Sequence, residues 1–315
     1  MTPTHDSPRC DQPCALACPD VCPLHAPAAL PPIDLDDALQ RFDREAVRGV
    51  CDTGRYKMPY YVWGEGPPLV FVHGAMDSSR AWVMPISRLS AHFRCVAYDL
   101  PNGRDDGARL GRHTHADLIA DFFALLDHLN LARSYVFASS FGSTVALPAL
   151  RERPERLPRA VLQGGLALRP LRRLERFLAR VGWFLPGTTG RLPLREKVTL
   201  KVNGAGFQDK PERRYHYFVE ATGRTPVRAF AHQVLMLDRL DMRPILPEVR
   251  QPVLLFCGDL DRVVRPIHAE ILMAGLPNAR RVVVEGCGHV PGYSHPEVLA
   301  EVVRQFLTPP SEPRP

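Results

Sequence analysis

The pattern of apolar and polar residues along the chain predicts alternating strands and helices. Apolar runs typical of strands buried on both faces occur at residues 68–72, 93–99, 135–137, 159–163, 252–256 and 281–285. Apolar residues at three- and four-residue spacing predict helices at 34–46, 80–91, 117–129 and 296–307. Residues 47–52 and 57–64 flank Thr53-Gly54 and predict an antiparallel hairpin. Strands that alternate with helices predict an α/β fold with a doubly wound, mostly parallel sheet and flanking helices.

The periodicity changes for about eighty residues between the strands at 159–163 and 252–256, which predicts an insertion. We therefore assign residues 33–165 and 246–307 to the core and residues 166–245 to the inserted segment. The inserted segment carries sixteen Lys and Arg residues against seven Asp and Glu, whereas the whole chain has 40 against 34. The basic excess of the protein is thus located in the insertion.

Both ends of the chain are predicted to be disordered. Residues 1–32 are rich in proline. Residues 308–315 also contain little apolar surface that folding could bury. Cys10, Cys14, Cys18 and Cys22 recur every four residues, a spacing that could present four thiols to a metal. Because prolines interrupt any helix there and paired Cys-x-x-Cys motifs are missing, a disordered tail is favoured over a metal site.

Composition narrows the class of protein. Hydrophobic residues make up 45% of the chain and charged residues 23%, as in ordinary globular enzymes. No apolar run reaches the roughly 18 residues of a membrane span, and the polar start lacks the features of a signal peptide, so a cytoplasmic location is expected. The basic residues show no interleaving with aromatic residues and no nucleic-acid-binding motif, so no nucleic-acid partner is expected.

The turn at Ser140 is the most informative motif. The strand at 135–137 meets the apparent start of a helix after Gly142, so the chain must reverse within two or three residues. Such a turn leaves space only for small residues two before and two after its apex. Ser140 meets this condition with Ala138 and Gly142, whereas the neighbouring Ser139 is flanked by phenylalanines.

This motif resembles the nucleophile elbow Gly-x-Ser-x-Gly of the α/β-hydrolase family, with alanine in place of the first glycine. The resemblance implies that Ser140 is the nucleophile and that the insertion at 166–245 is a helical cap. His73-Gly74 follows the strand at 68–72 as the family requires. The resemblance of this His-Gly motif implies an oxyanion hole formed by the backbone N–H groups of Ala75 and Phe141. His73 itself is expected to be structural.

The resemblance also implies a catalytic triad of nucleophile, acid and base. The acid and the base follow Ser140 in the family's order. Gly258-Asp-Leu-Asp261 resembles the motif that supplies the acid, and its register selects Asp261, with Asp259 as the alternative. Gly286-Cys-Gly-His289 resembles the loop that supplies the base, which makes His289 the expected proton acceptor. His295 lies at a predicted helix start and is expected at the surface.

The resemblance implies a serine hydrolase that cleaves a small-molecule carboxylic ester, thioester or lactone through an acyl-enzyme, without metal or organic cofactor. Two alternatives stay open. The same triad could cleave amide or carbon–carbon bonds, and a relative that lost catalysis could serve as a binding protein.

The cap contains an amphipathic stretch with two interpretations. Leucine, valine and phenylalanine between Leu168 and Leu185 form one apolar stripe if the segment is helical, and arginines cover the other side. The favoured interpretation is that the stripe forms a wall of the active-site pocket. The alternative is a peripheral contact with an anionic membrane, which would fit a lipid-like ester.

Overall fold

The computed structural model describes residues 30–308. These residues are arranged around one central β-sheet. The predicted disordered tails, including the four cysteines at positions 10 to 22, lie almost entirely outside the described residues. Within those residues the sheet has eight strands: β1 Val47–Asp52, β2 Lys57–Trp63, β3 Pro68–Val72, β4 Arg94–Tyr98, β5 Tyr135–Ser139, β6 Ala160–Gln163, β7 Val253–Gly258 and β8 Ala279–Val284.

The sheet order is β1-β2-β4-β3-β5-β6-β7-β8. The β1–β2 hairpin is antiparallel and β2 also pairs antiparallel with β4, whereas every later pair is parallel. The chain runs outward in both directions from β3, which is the doubly wound arrangement expected from alternating strands and helices. The predicted α/β class with a mostly parallel sheet is therefore confirmed.

Helices cover both faces of the sheet. The described residues form these α-helices: α1 Leu35–Glu45, α2 Val83–Leu89, α3 His115–His128, α4 Ser143–Glu152, α5 Arg173–Phe184, α6 Arg195–Asn203, α7 Glu212–Gly223, α8 Val227–Leu237, α9 Pro266–Gly275, α10 Pro291–Ser294 and α11 Pro296–Leu307. Helices α3, α4 and α9 pack on one face, and α1, α2 and α11 pack on the other.

Strand β3 explains why the central strands are apolar throughout. Val70 and Val72 belong to the core under α3 and α4, while Leu69 and Phe71 belong to the core under α1 and α2. Successive side chains of a strand point to opposite faces, so a strand with helices on both sides must be apolar at every position. The continuous apolar runs in the sequence follow from this burial.

Helices α5 to α8 lie between β6 and β7, in the segment predicted as a cap. Arg214 on α7 joins this inserted segment to the rest of the protein, because its guanidinium forms a buried ion pair with Glu297 and donates a 2.6 Å hydrogen bond to the carbonyl of Ile33. Among the described residues no helix combines the length and the apolar character that a bilayer crossing requires.

The interpretation of the Leu168–Leu185 stripe as a pocket wall is wrong. Helix α5 begins only at Arg173, and its large apolar residues face solvent, with Phe177 62% exposed and Phe184 80% exposed. The buried residues of α5 are Ala179 and Gly182, and a Cβ on Gly182 would lie 3.3 Å from Ala231 Cβ on α8. Small residues let α5 and α8 approach closely. Helix α5 therefore buries the face that carries its small residues and exposes the face that carries its large apolar residues.

Candidate active site

Ser140 occupies a sharp turn between β5 and α4. Its φ of 48° lies in the left-handed region, which is rare for a residue with a side chain and marks a strained position. A Cβ at Gly142 would lie 2.5 Å from the carbonyl oxygen of Val72, and Ala138 is completely buried. The close approach of β3 therefore accounts for the small residues on either side of Ser140.

Asp261 holds the imidazole of His289. Its Oδ2 lies 2.7 Å from His289 Nδ1, and its Oδ1 accepts hydrogen bonds from the backbone N–H groups of Val263 at 2.8 Å and Val264 at 2.9 Å. Both carboxylate oxygens are thus engaged. Asp259 instead accepts a hydrogen bond from the N–H of Cys287 at 3.2 Å, so the contact with His289 is made by the residue that the sequence register selects.

A cavity of about 240 Å³ brings Ser140 and His289 together with Ala75 from the loop after β3. Since Nδ1 of His289 faces Asp261, its Nε2 is the nitrogen available to a hydroxyl. The side chain of Phe141 is fully buried, so its backbone N–H is the group suited to the predicted role of oxyanion-hole donor. The inserted segment contributes apolar walls to the cavity through Val198, Val202, Phe218 and Phe230.

His73 fixes the loop that carries Ala75. Its Nε2 accepts a hydrogen bond from the N–H of Leu100 at 2.9 Å, so Nδ1 carries the proton and donates to the carbonyl of Gly74 at 2.8 Å. The inserted segment supports the same loop, because Thr225 Oγ1 donates to the carbonyl of Met76 at 3.0 Å. The structural role predicted for His73 is confirmed.

The last residue of β6 and the residue that follows it were not identified from the sequence. Gln163 accepts a hydrogen bond from Ser139 Oγ and donates one to the His289 carbonyl at 3.0 Å, so it connects the elbow with the histidine loop. At Gly164, where φ is 53°, a Cβ would lie 2.9 Å from His289 Cε1. The Gly164-Gly165 pair directly after β6 was the available signal.

His295 is buried rather than exposed, which corrects the sequence-based expectation. It lies directly before α11, and its Nδ1 lies 3.0 Å from Ser294 Oγ. Burial, reinforced by the charge of Lys210, lowers the pKa of His295 to about 4. Lys210, whose charge acts on this imidazole, belongs to a segment distant in the sequence, so the local pattern could not reveal this environment.

Known proteins place the chain in a family. The family model described as alpha/beta hydrolase fold matches residues 67–296. A pimeloyl-[acyl-carrier protein] methyl ester esterase from Nitrosomonas europaea is 29% identical over 248 residues, which cover 74% of this chain and 93% of that protein. An uncharacterized protein of Mycobacterium tuberculosis is 26% identical over 282 residues, which cover 82% of this chain and 80% of the relative.

Solved structures show the same fold. The enol-lactonase from Burkholderia xenovorans LB400 superposes with a TM-score of 0.73 at 21% identity and covers 82% of this chain and 99% of its own. A thermophilic esterase from Thermogutta terrifontis gives a TM-score of 0.73 at 22% identity, with 83% of this chain and 98% of its own covered. Because the family model spans most of the chain and the architecture agrees, the protein belongs to the α/β-hydrolase family.

Proposed function

We propose that this protein is a serine hydrolase that cleaves a carboxylic ester through an acyl-enzyme intermediate. Ser140 is the nucleophile, His289 the general base and Asp261 the residue that orients the imidazole. The observation that carries the proposal is the 2.7 Å contact between Asp261 Oδ2 and His289 Nδ1, beside a cavity that contains the strained Ser140.

Each step uses one of these groups. Ser140 Oγ attacks the acyl carbon while His289 Nε2 takes its proton, and Asp261 stabilises the imidazolium that forms. The backbone N–H groups of Ala75 and Phe141 donate to the oxygen that becomes negative. His289 then gives the proton to the leaving alkoxide, and water repeats the sequence to release the acid.

The cavity and the relatives narrow the substrate. A cavity of about 240 Å³ with mostly aliphatic and aromatic walls suits a small or medium apolar acyl group. A relative named as a methyl ester esterase and a structural neighbour named as an enol-lactonase support ester, thioester or lactone hydrolysis over amide or carbon–carbon bond cleavage.

A fluorophosphonate probe tests the nucleophile directly. We expect the wild type and Ser134→Ala to be labelled, and Ser140→Ala to be neither labelled nor active on p-nitrophenyl esters of short acyl chains. Ser134 is a matched control, since its buried Oγ has no hydrogen-bond partner among the described residues. A wild type that resists the probe and hydrolyses no ester in the panel would favour the binding-protein alternative.

We also propose that the exposed face of α5 contacts an anionic membrane, which would give the site access to lipid-like esters. The apolar part of this face consists of Leu174, Phe177, Leu178, Val181 and Phe184. Arg173 and Arg180 on the same helix are exposed and form no ion pair with any residue between positions 30 and 308. A bilayer suits this surface better than a second copy of the chain, because self-association would bring like charges together.

Vesicle flotation tests the α5 contact. Burying Phe177 and Phe184 in the lipid interface would contribute about 1.5–3 kcal/mol each, and each nearby arginine about 1 kcal/mol. We expect binding to anionic vesicles that weakens as salt rises and is lost in Phe177→Ser with Phe184→Ser. The matched control is Val50→Ser with Ile267→Ser, which changes two exposed apolar residues elsewhere. Equal loss in both double variants would contradict the proposal.

A further inference from the structure

A second concave surface, separate from the cavity around Ser140, is lined by arginines. It has a volume of about 630 Å³ and shares no lining residue with the Ser140 cavity. Arg104, Arg109 and Arg112 reach it from the core loop before α3, and Arg191 and Arg228 reach it from the cap. We call it the arginine groove. It lies across the junction between core and cap.

Four of the five guanidinium groups of the groove lack counter-charges of their own, whereas Arg104 forms an ion pair with Asp105. The other four form no ion pair with a described residue, and no aspartate or glutamate is among the described residues that line the groove. Arginines elsewhere in the cap are neutralised, for example Arg176 by Asp238 and Arg243 by Asp241. Four like charges in one concavity repel each other, and an anion bound among them would relieve that repulsion.

Trp183 gives the groove a rigid aromatic wall. The guanidinium carbon of Arg228 lies 5.3 Å from the centroid of the Trp183 ring, a distance suited to a cation–π contact. Gly111 lies against the same ring, since a Cβ there would be 3.5 Å from Trp183 Cζ2. Stacking of this kind orders Arg228 in advance, and a planar guanidinium held in place is well suited to two parallel hydrogen bonds with a phosphate group.

We infer that the arginine groove binds the phosphate group of a ligand and that the bound anion links the cap to the core. The ligand chemistry is a phosphate mono- or diester, either on a soluble molecule or in an anionic lipid headgroup. The inference goes beyond the proposed hydrolase function, because it uses neither the triad nor the exposed face of α5. It therefore stands or falls independently of ester hydrolysis.

Pyrophosphate titration by calorimetry at low salt tests the soluble source. We expect binding to the wild type, with Arg112→Gln and Arg191→Gln together weakening it by at least about tenfold, since one charge is removed from each side of the groove. The matched control replaces Arg133 and Arg250 with Gln, two exposed arginines outside the groove. Because the anion bridges core and cap, pyrophosphate should also raise the melting temperature of the wild type but not of the groove variant.

Vesicles of phosphatidylglycerol, with phosphatidylcholine as the reference, test the lipid source. Binding of these vesicles that depends on Arg112 and Arg191, without binding of pyrophosphate, would identify a headgroup as the ligand and support the inference. The Phe177→Ser, Phe184→Ser variant should keep its affinity for pyrophosphate. The inference would be overturned if the wild type bound neither pyrophosphate nor the phosphatidylglycerol vesicles. Equal losses of binding in the groove and control variants would also overturn it.

Discussion

The hydroxyl of Tyr293 donates a 2.7 Å hydrogen bond to Asp77 Oδ1, and this bond joins the two loops that meet at the active site. Asp77 lies two residues after Ala75, and Tyr293 lies four residues after His289. Burial raises the pKa of the Asp77 carboxyl, against the lowering effect of His73 and of the hydrogen bond itself. A hydrogen bond in such a poorly solvated place positions its partners strongly.

Removing that bond should affect turnover more than substrate binding. Tyr293→Phe leaves Asp77 with one donor fewer in a buried site, so we expect the free energy of unfolding to fall by about 1–2 kcal/mol. Because the loop that carries Ala75 loses one of its supports, kcat should fall by about three- to tenfold while KM changes little. Tyr60→Phe is the matched control, since its hydroxyl contacts His128 at an exposed position. Equal kinetics in the two variants would argue against a positioning role.

The two neighbouring aspartates give a sharp test of the proposed acid. Asp261→Asn keeps the shape of the side chain but favours the wrong tautomer of His289, so kcat should fall by roughly 10³- to 10⁴-fold. Asp259→Asn changes only the acceptor for the Cys287 N–H and should retain most activity. Steady-state kinetics on one p-nitrophenyl ester compares them. A greater loss in Asp259→Asn would reverse the assignment.

Gly164 is predicted to be required for the position of the imidazole. An alanine Cβ there would lie 2.9 Å from His289 Cε1, so Gly164→Ala should displace the ring and lower kcat by at least about tenfold. Gly54→Ala introduces the same backbone strain at a φ of 77°, with no atom within 4 Å of the new Cβ. Both variants should lose about 1–2 kcal/mol of stability. If both keep full activity, Gly164 has only a conformational role.

Local pattern was sufficient wherever one short segment determines its own environment. Val70 and Phe71 read as a doubly buried strand, and the small residues around Ser140 predicted a turn whose geometry the structure confirms. The motif around Gly258 likewise selected the aspartate that contacts His289. In each case the constraint acts within a few residues, so the sequence carries it directly.

Prediction failed where a distant segment decides which side is buried. The apolar stripe of α5 has the period of a buried helix, yet close packing of Gly182 against Ala231 turns the opposite side inward. The environment of His295 includes the distant Lys210, whose charge acts on the imidazole, and Gln163 matters only because β6 ends beside the histidine loop. These relationships arise from packing between segments and have no local signature.

The buried His295 and the partly buried His115 should make stability depend on pH. Burial lowers the pKa of His115 to about 4, with His232 adding to the effect, and burial lowers that of His295 to about 4 as well. The unfolded chain, with histidine pKa near 6.5, therefore binds more protons than the folded protein between about pH 4 and 6.5. Stability should be fully present above this window and fall as the pH drops through it, by up to about 1.4 kcal/mol per unit for each group.

Urea unfolding at pH 7, 6, 5 and 4.5 measures this slope. His115→Gln with His295→Gln should make it shallower, because glutamine takes up no proton in either state, whereas His92→Gln, at an exposed position, should leave it unchanged. Burial also lowers the pKa of His232 and of His268, so part of the slope should remain in the double variant. The carboxylates of Glu175 and Asp238, whose pKa is lowered to about 2 chiefly by hydrogen bonds from Arg169 and Arg176, lose their contribution only below about pH 4.5. A slope between pH 6.5 and 4.5 that is as steep in the double variant as in the wild type would contradict the assignment.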